Sequence, residues 1–228
     1  MAKHLEREIE RLKKKILTLG TLVEEAVREA TFSLEHLDTD RALRVIGRDL
    51  AVDQMEVEIE EECLKILALH QPVANDLRFI IAVLKINNDL ERIGDLAVNL
   101  AERAVFLTDQ PAVGVTLDFD GMARRAKTML KESLDALVNY NPALARKVCA
   151  DDDDVDAMNR AMFVRIQEGM RFHPEQIESL THLLSASRHL ERIADHATNI
   201  AEDVIYLING EIVRHQTENF HPTPDPHA

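Results

Sequence analysis

The chain of 228 residues contains no tryptophan, and Phe, Trp and Tyr together account for only 4% of it. Glycine and proline are scarce as well, with seven of each. Sandwiches and barrels need many tight turns and aromatic-rich strands, so these shortages argue against an all-β fold and for helices. Cysteine is almost absent: Cys63 and Cys149 form no CxxC pair. That speaks against a disulfide scaffold or a thiolate zinc site, and fits a reduced, cytoplasmic compartment. Positive charge is in deficit, since 27 Lys+Arg against 41 Asp+Glu leave a formal charge of −14. Such a surface repels phosphate backbones and anionic lipid, which excludes nucleic acid as the expected partner. No apolar run approaches the roughly 18 residues of a spanning helix. The amino terminus, Met1-Ala2-Lys3-His4-Leu5-Glu6-Arg7, has no apolar leader core, so the expectation is a soluble chain without membrane insertion.

What is present is helical periodicity. Leu5, Ile9, Leu12, Ile16, Leu19, Val23, Ala26 and Ala30 alternate steps of four and three, the seam of a long amphipathic helix reaching about Leu37. Asp38-Thr39-Asp40 offers capping oxygens for a second helix, and Asn141-Pro142, His173-Pro174 and Gln71-Pro72 each place proline at an expected first helical position. Between Thr108 and Gly121 the periodicity lapses and Pro, Gly and Asp gather, marking a connection. The tail after about Arg214 has no periodic apolar face and is read as disordered.

The two sides of that connection repeat each other. Asp89-Leu90-Glu91-Arg92-Ile93-Gly94-Asp95, followed by Asn99 and Ala101-Glu102, returns 100 residues later as His189-Leu190-Glu191-Arg192-Ile193-Ala194-Asp195, followed by Asn199 and Ala201-Glu202. Upstream, Asp49, Asp53 and Met55 match Asp152, Asp156 and Met158 at an offset of 103. Each half reads as three helices with short connections. The expected architecture is all-α: two tandem antiparallel three-helix bundles related by internal duplication, residues 1-110 and 116-213, with 214-228 as the tail.

The repeated segments carry acidic pairs four residues apart. With Glu91 at zero on a helical wheel, Asp95, Asn99 and Glu102 fall within about 80°, while Leu90, Ile93, Ala97, Leu100 and Ala101 fall between about 180° and 280°. The carboxylates are therefore expected to look away from the bundle core. Asp49 and Asp53 share a face with Glu56 and Glu60, and Asp152 and Asp156 share one with Asn159. Like charges at this spacing repel by a few tenths of a kcal/mol, which a hard cation would relieve. Asp, Glu and Asn supply oxygen donors suited to magnesium, manganese, calcium or oxygen-ligated iron. A solvated acidic face produces the same spacing, and gene duplication copies surface residues too, so both readings stand at this level.

Other features are weaker. Arg92 and Arg192 follow the glutamates and could neutralise them within the helix. His196 is a possible nitrogen ligand beside the second motif, the run Asp151 to Asp154 would suit the start of a helix, and Met55 and Met158 read as core. No Gly-rich phosphate loop, nucleophile elbow or HExxH motif is present, and the single ExxH, Glu218-Asn219-Phe220-His221, falls in the tail. Catalysis is not expected. A carboxylate-ligated iron or manganese storage or redox bundle remains the alternative to a binding protein.

The paired Leu-Glu-Arg-Ile-(Gly/Ala)-Asp segments, with Asp49-Leu50-Ala51-Val52-Asp53, Asp152-Asp153-Asp154-Val155-Asp156 and the helix entry Gln71-Pro72-Val73-Ala74-Asn75-Asp76-Leu77-Arg78, resemble the PhoU family of bacterial phosphate-uptake regulators. The likeness runs to about Arg214. It implies paired three-helix bundles, often a homodimer, and a non-enzymatic adaptor that restrains the phosphate ABC transporter and holds a sensor histidine kinase in its repressing state. Its partners would be the transporter's ATPase subunit and the kinase's cytoplasmic domain. It also implies bound metal ions, iron, manganese, zinc or magnesium, on Asp49, Asp53, Glu91 and Asp95 in one half and Asp152, Asp156, Glu191 and Asp195 in the other. Two departures stand out: Ile177-Glu178-Ser179-Leu180 replaces the Asn75-Asp76-Leu77-Arg78 segment, and His196 replaces Leu96.

Overall fold

The computed structural model describes residues 2–213, and the tail expected to be disordered lies outside the described residues. Six α-helices follow one another with no strand among the described residues: α1 Ala2–His36, α2 Thr39–His70, α3 Ala74–Thr108, α4 Phe119–Asn139, α5 Pro142–Phe172 and α6 Ile177–Asn209. The first three form one antiparallel bundle and the last three another.

Local chemistry sets most of the boundaries. Asp38 accepts a hydrogen bond from the Arg41 amide and starts α2, Asp118 does the same for α4 through the Gly121 amide, and Asn141 caps α5 ahead of Pro142. Gly210, at φ 75, closes α6 in the left-handed conformation that glycine adopts without a Cβ clash. Two prolines behave otherwise than expected. Pro72 is buried in the turn and α3 begins only at Ala74, because the left-handed Gln71 first has to close α2. Pro174 opens a short 3-10 turn, Pro174–Gln176, ahead of α6. The Asp151 to Asp154 run is not at a helix start either; it lies beyond the second turn of α5, where Asp151 pairs with Lys147 and Asp154 with Arg125.

The two bundles share one continuous hydrophobic core. The alternating seam of α1 buries Leu12, Ile16, Leu19, Val23 and Ala30, while Met55 and Met158 pack against the core from partly buried positions. α3 and α6 lie side by side, and α1 also touches α4, so the halves are joined along their longest apolar helices. Three polar pairs cross the α3–α6 contact and show its antiparallel register: Lys85 Nζ to Asp203 Oδ1 at 3.1 Å, Asp89 to His196 at 2.8 Å and Arg103 to His182 at 3.4 Å. The His182 ring also stacks on Phe106, with centroids 3.6 Å apart. Asp89 is buried and accepts a second bond from Asn199 at 3.3 Å.

Because Asp89 holds His196 and Asn199 in a largely desolvated place, Asp89→Ala strands both of their donors. The expected loss is about 1–3 kcal/mol in urea unfolding. Asp53→Ala, at an exposed position, is expected to change stability by less than about 0.5 kcal/mol in the same measurement.

Candidate metal centre

In each half the acidic motif of the third helix meets the acidic face of the helix before it. The geometry follows from packing: Ile93, Leu90, Ala97 and Leu100 are buried against the core, so Glu91 and Asp95 emerge at the edge of the α2–α3 contact. Gly94 brings the two helices close, since a Cβ there would sit 3.1 Å from Val52 Cγ1. The carboxylates do leave the core as the wheel predicts, but Glu91, Asp95, Glu191 and Asp195 are partly buried between helices rather than standing in open solvent.

The second half gathers its ligands most tightly. Asp156 of α5 and Glu191 and Asp195 of α6 each present an oxygen, and the three oxygens lie within 4.8 Å of one another. Asp152 falls outside this trio but acts on it at short range. Burial, followed by the charges of Glu191, Asp152 and Asp156, pushes the Asp195 carboxyl up to about 7. Glu191 is raised by burial and by Asp156, and Asp152 by burial and Asp156. Arg160 reaches Asp156 at 3.2 Å from the solvent side.

The first half has the same residues in a looser and partly neutralised arrangement. Asp49 is raised by burial and by Asp53 and Asp95. Glu91 is raised by burial and by Asp95, with Arg92 opposing. The Arg92 guanidinium lies 3.4 Å from Glu91 and 3.4 Å from Asp95. No group of three carboxylates as close as the second-half trio forms among the described residues of this half. Glu56, placed by spacing on the Asp49–Asp53 face but left out of the eight candidate ligands, is also raised by burial and by Glu60 and Asp53 and so belongs to the same acidic contact. Its place four residues before Glu60 was the available signal.

Neither nitrogen nor sulfur enters the trio. His196, the candidate nitrogen ligand, turns instead to Asp89 across the α3–α6 contact. Cys63 and Cys149 are buried, and burial pushes both thiols up to about 12, which keeps them protonated and poor as ligands. A partly buried, oxygen-only trio with excess negative charge fits a hard cation: the ion would replace the proton that Asp195 otherwise retains near neutrality.

That proton has a measurable consequence. Between its ordinary value of 3.8 and about 7, folded Asp195 keeps a proton that the unfolded chain has released, so stability falls as pH rises through this window. The metal-free protein is expected to show a lower urea midpoint at about pH 7.5 than at about pH 5, and Asp195→Asn to flatten the difference. Added Mn²⁺ should raise the thermal midpoint more at the higher pH than at the lower, because at lower pH it competes with the proton.

The PhoU domain model matches residues 16–104 and again 119–204. The chain is 39% identical to the phosphate-specific transport system accessory protein PhoU homolog of Aquifex aeolicus, over 92% of this chain and 95% of that protein. It is 38% identical to the Pseudomonas aeruginosa homolog, over 91% of this chain and 86% of that one. Among solved structures it is similar to PhoU from Pseudomonas aeruginosa, with a TM-score of 0.88 and 37% identity, covering 90% of this chain and 99% of that one. It is also similar to the phosphate transport system regulatory protein PhoU from Streptococcus pneumoniae, with a TM-score of 0.81 and 31% identity, covering 92% of this chain and 99% of that one. With both halves matched and the fold shared from end to end, the chain belongs to the PhoU family.

Proposed function

We propose that this chain is a non-enzymatic negative regulator of phosphate uptake and phosphate-starvation signalling. In this reading it is a cytoplasmic adaptor between the ATPase subunit of a phosphate ABC transporter and a sensor histidine kinase, with carboxylate sites that hold metal ions. The observation that carries the regulatory part is the end-to-end likeness to transport-system accessory proteins, which spans both halves. No helix among the described residues is long and apolar enough to cross a membrane, which is compatible with a protein that visits a transporter from the aqueous side.

The metal part is supported by the Asp156, Glu191 and Asp195 trio. There an ion would be held by Glu191 and Asp195 from α6 and Asp156 from α5, with Asp152 adding charge beside them. In the first half Asp49, Asp53, Glu91 and Asp95 would take an ion only after Arg92 swings away. An oxygen donor set favours magnesium, manganese or iron over zinc. An ion in either place would cross-link the second and third helices of that half, and would set the charge of a surface available to partners. The storage or redox alternative lacks the facing Glu-x-x-His pairs of di-iron bundles among the described helices.

Elemental mass spectrometry of untagged protein tests the assignment. Glu191→Gln with Asp195→Asn is expected to remove most of the bound metal, and Glu91→Gln with Asp95→Asn to remove less; equal metal in all three proteins would overturn it. Arg92→Ala is expected to raise Mn²⁺ affinity of the first half by about 10-fold, through loss of an adjacent positive charge. The adaptor reading predicts that the purified chain binds the transporter ATPase subunit when phosphate is plentiful, and absence of binding under those conditions would refute it.

A further inference from the structure

α2 turns Val45, Val52, Ile59, Cys63 and Ile66 into the core. On its opposite face Leu43, Leu50, Val57 and Leu64 stand 53%, 64%, 50% and 54% exposed. A spacing of seven residues places them in one row about 32 Å long that drifts by only about 20° per heptad. The packing of α2 is against α1 and α3, on the other side, so the row has no covering element among the described residues.

The internal duplication provides a control for this row. The offset that aligns Asp49 and Asp53 with Asp152 and Asp156 puts Arg146, Asp153, Arg160 and Gln167 of α5 at the same four places. α5 holds the same position in its own bundle with none of the four apolar, so the fold does not require leucines there. α5 does expose Phe163, Val164 and Phe172, but these fall at about 0°, 100° and 180° around the helix and form no row. Four aliphatic side chains in register on one copy and absent from the other mark a surface shaped by something outside the bundle.

The charges beside the row identify the kind of occupant. Within about 80° of the neighbouring row residues on the wheel lie Asp40, Asp53, Glu60 and Glu61, all exposed, and no Lys or Arg; Arg44, Glu58 and Lys65 follow at about 100°. A second copy would bring the same acids against these, and an anionic bilayer would be repelled in the same way. We propose that the Leu43–Leu50–Val57–Leu64 row is the docking surface for an amphipathic helix of a partner protein whose apolar seam is flanked by Lys and Arg. The apolar row supplies the seam contact and the acidic flanks supply selectivity. Which protein provides that helix rests on the adaptor reading, but the surface itself does not.

The test uses the full chain and two synthetic helical peptides with leucine at both core positions of each heptad, one flanked by lysine and one by glutamate, read by fluorescence anisotropy. The lysine peptide is expected to bind, more weakly as salt rises, and the glutamate peptide not to bind. Exchanging the row for its α5 counterparts, with Leu43→Arg, Leu50→Asp, Val57→Arg and Leu64→Gln, is expected to weaken lysine-peptide binding at least about 50-fold. Leu50→Gln with Leu64→Gln leaves the charge unchanged, guards against misfolding of the larger exchange, and is expected to weaken binding about 10-fold. Undiminished binding by both row variants, or equal binding of the two peptides, would overturn the proposal. So would a dimer in sedimentation, or phosphatidylglycerol vesicle binding, that the row variants abolish, since the occupant would then be a second copy or a membrane. If the lysine peptide does not bind, or binds parent and row variants alike, while the ATPase subunit binds the parent, this surface is refuted and the adaptor reading stands; if the ATPase subunit does not bind while the peptide result holds, the reverse is true.

Discussion

The packing of α3 on α6 is the contact on which the rest of the molecule depends. These two helices bury the longest apolar faces in the chain, with small residues such as Ala97, Ala101, Ala197 and Ala201 fully enclosed. Once they lie antiparallel, α1 and α2 have to cover the outer side of α3, and α4 and α5 that of α6. The acidic motifs follow from this, because Glu91–Asp95 and Glu191–Asp195 share their helices with the buried faces and are carried to the edges where α2 and α5 meet them. Asp89, His196, Lys85 and Asp203 cross the same contact. A slip of one turn would separate all of these partners, so the bonds oppose sliding that a purely apolar contact would tolerate.

The two halves then divide their properties unevenly. Asp156, Glu191 and Asp195 converge in the second half, whereas in the first Arg92 lies against the corresponding pair. Conversely, the outer face of α2 carries an aliphatic row and that of α5 does not. Duplication supplied two copies of one helical frame. Divergence at positions that do not touch the core changed what each copy displays without disturbing the packing, since core positions are constrained by volume and surface positions are not.

Electrostatics connects these surfaces. A chain with a formal charge of −14 that also presses carboxylates together between helices stores repulsion there, visible in the raised Asp49, Glu91, Asp152, Glu191 and Asp195. Protonation and cation binding are two ways of relieving the same repulsion, so ion occupancy, pH and stability are linked through one set of side chains. Asp53 also stands on the flank of the α2 row, so the charge state of the first acidic contact bears on what docks beside it.

Much of this was readable from sequence because it depends on local rules. The alternating seam of α1, the Asp38 and Asn141 caps and the repeat from Glu91 to Glu191 involve residues within a few turns of one another or an identity between segments. Six helices in two bundles follow from them. Spacing also put the eight candidate carboxylates in pairs on shared helix faces, because helical geometry alone decides that. What spacing could not decide was which carboxylates meet. The trio joins Asp156 to Glu191 and Asp195 and leaves Asp152 beside it, while Arg92 lies against the first pair, and both outcomes depend on side-chain reach across a helix–helix contact. The same holds for His196, which reads as a ligand along α6 and proves to be the partner of Asp89 on α3, and for the exposure of Leu43, Leu50, Val57 and Leu64. A sequence records which residues share a face of a helix; only tertiary packing determines what that face is pressed against.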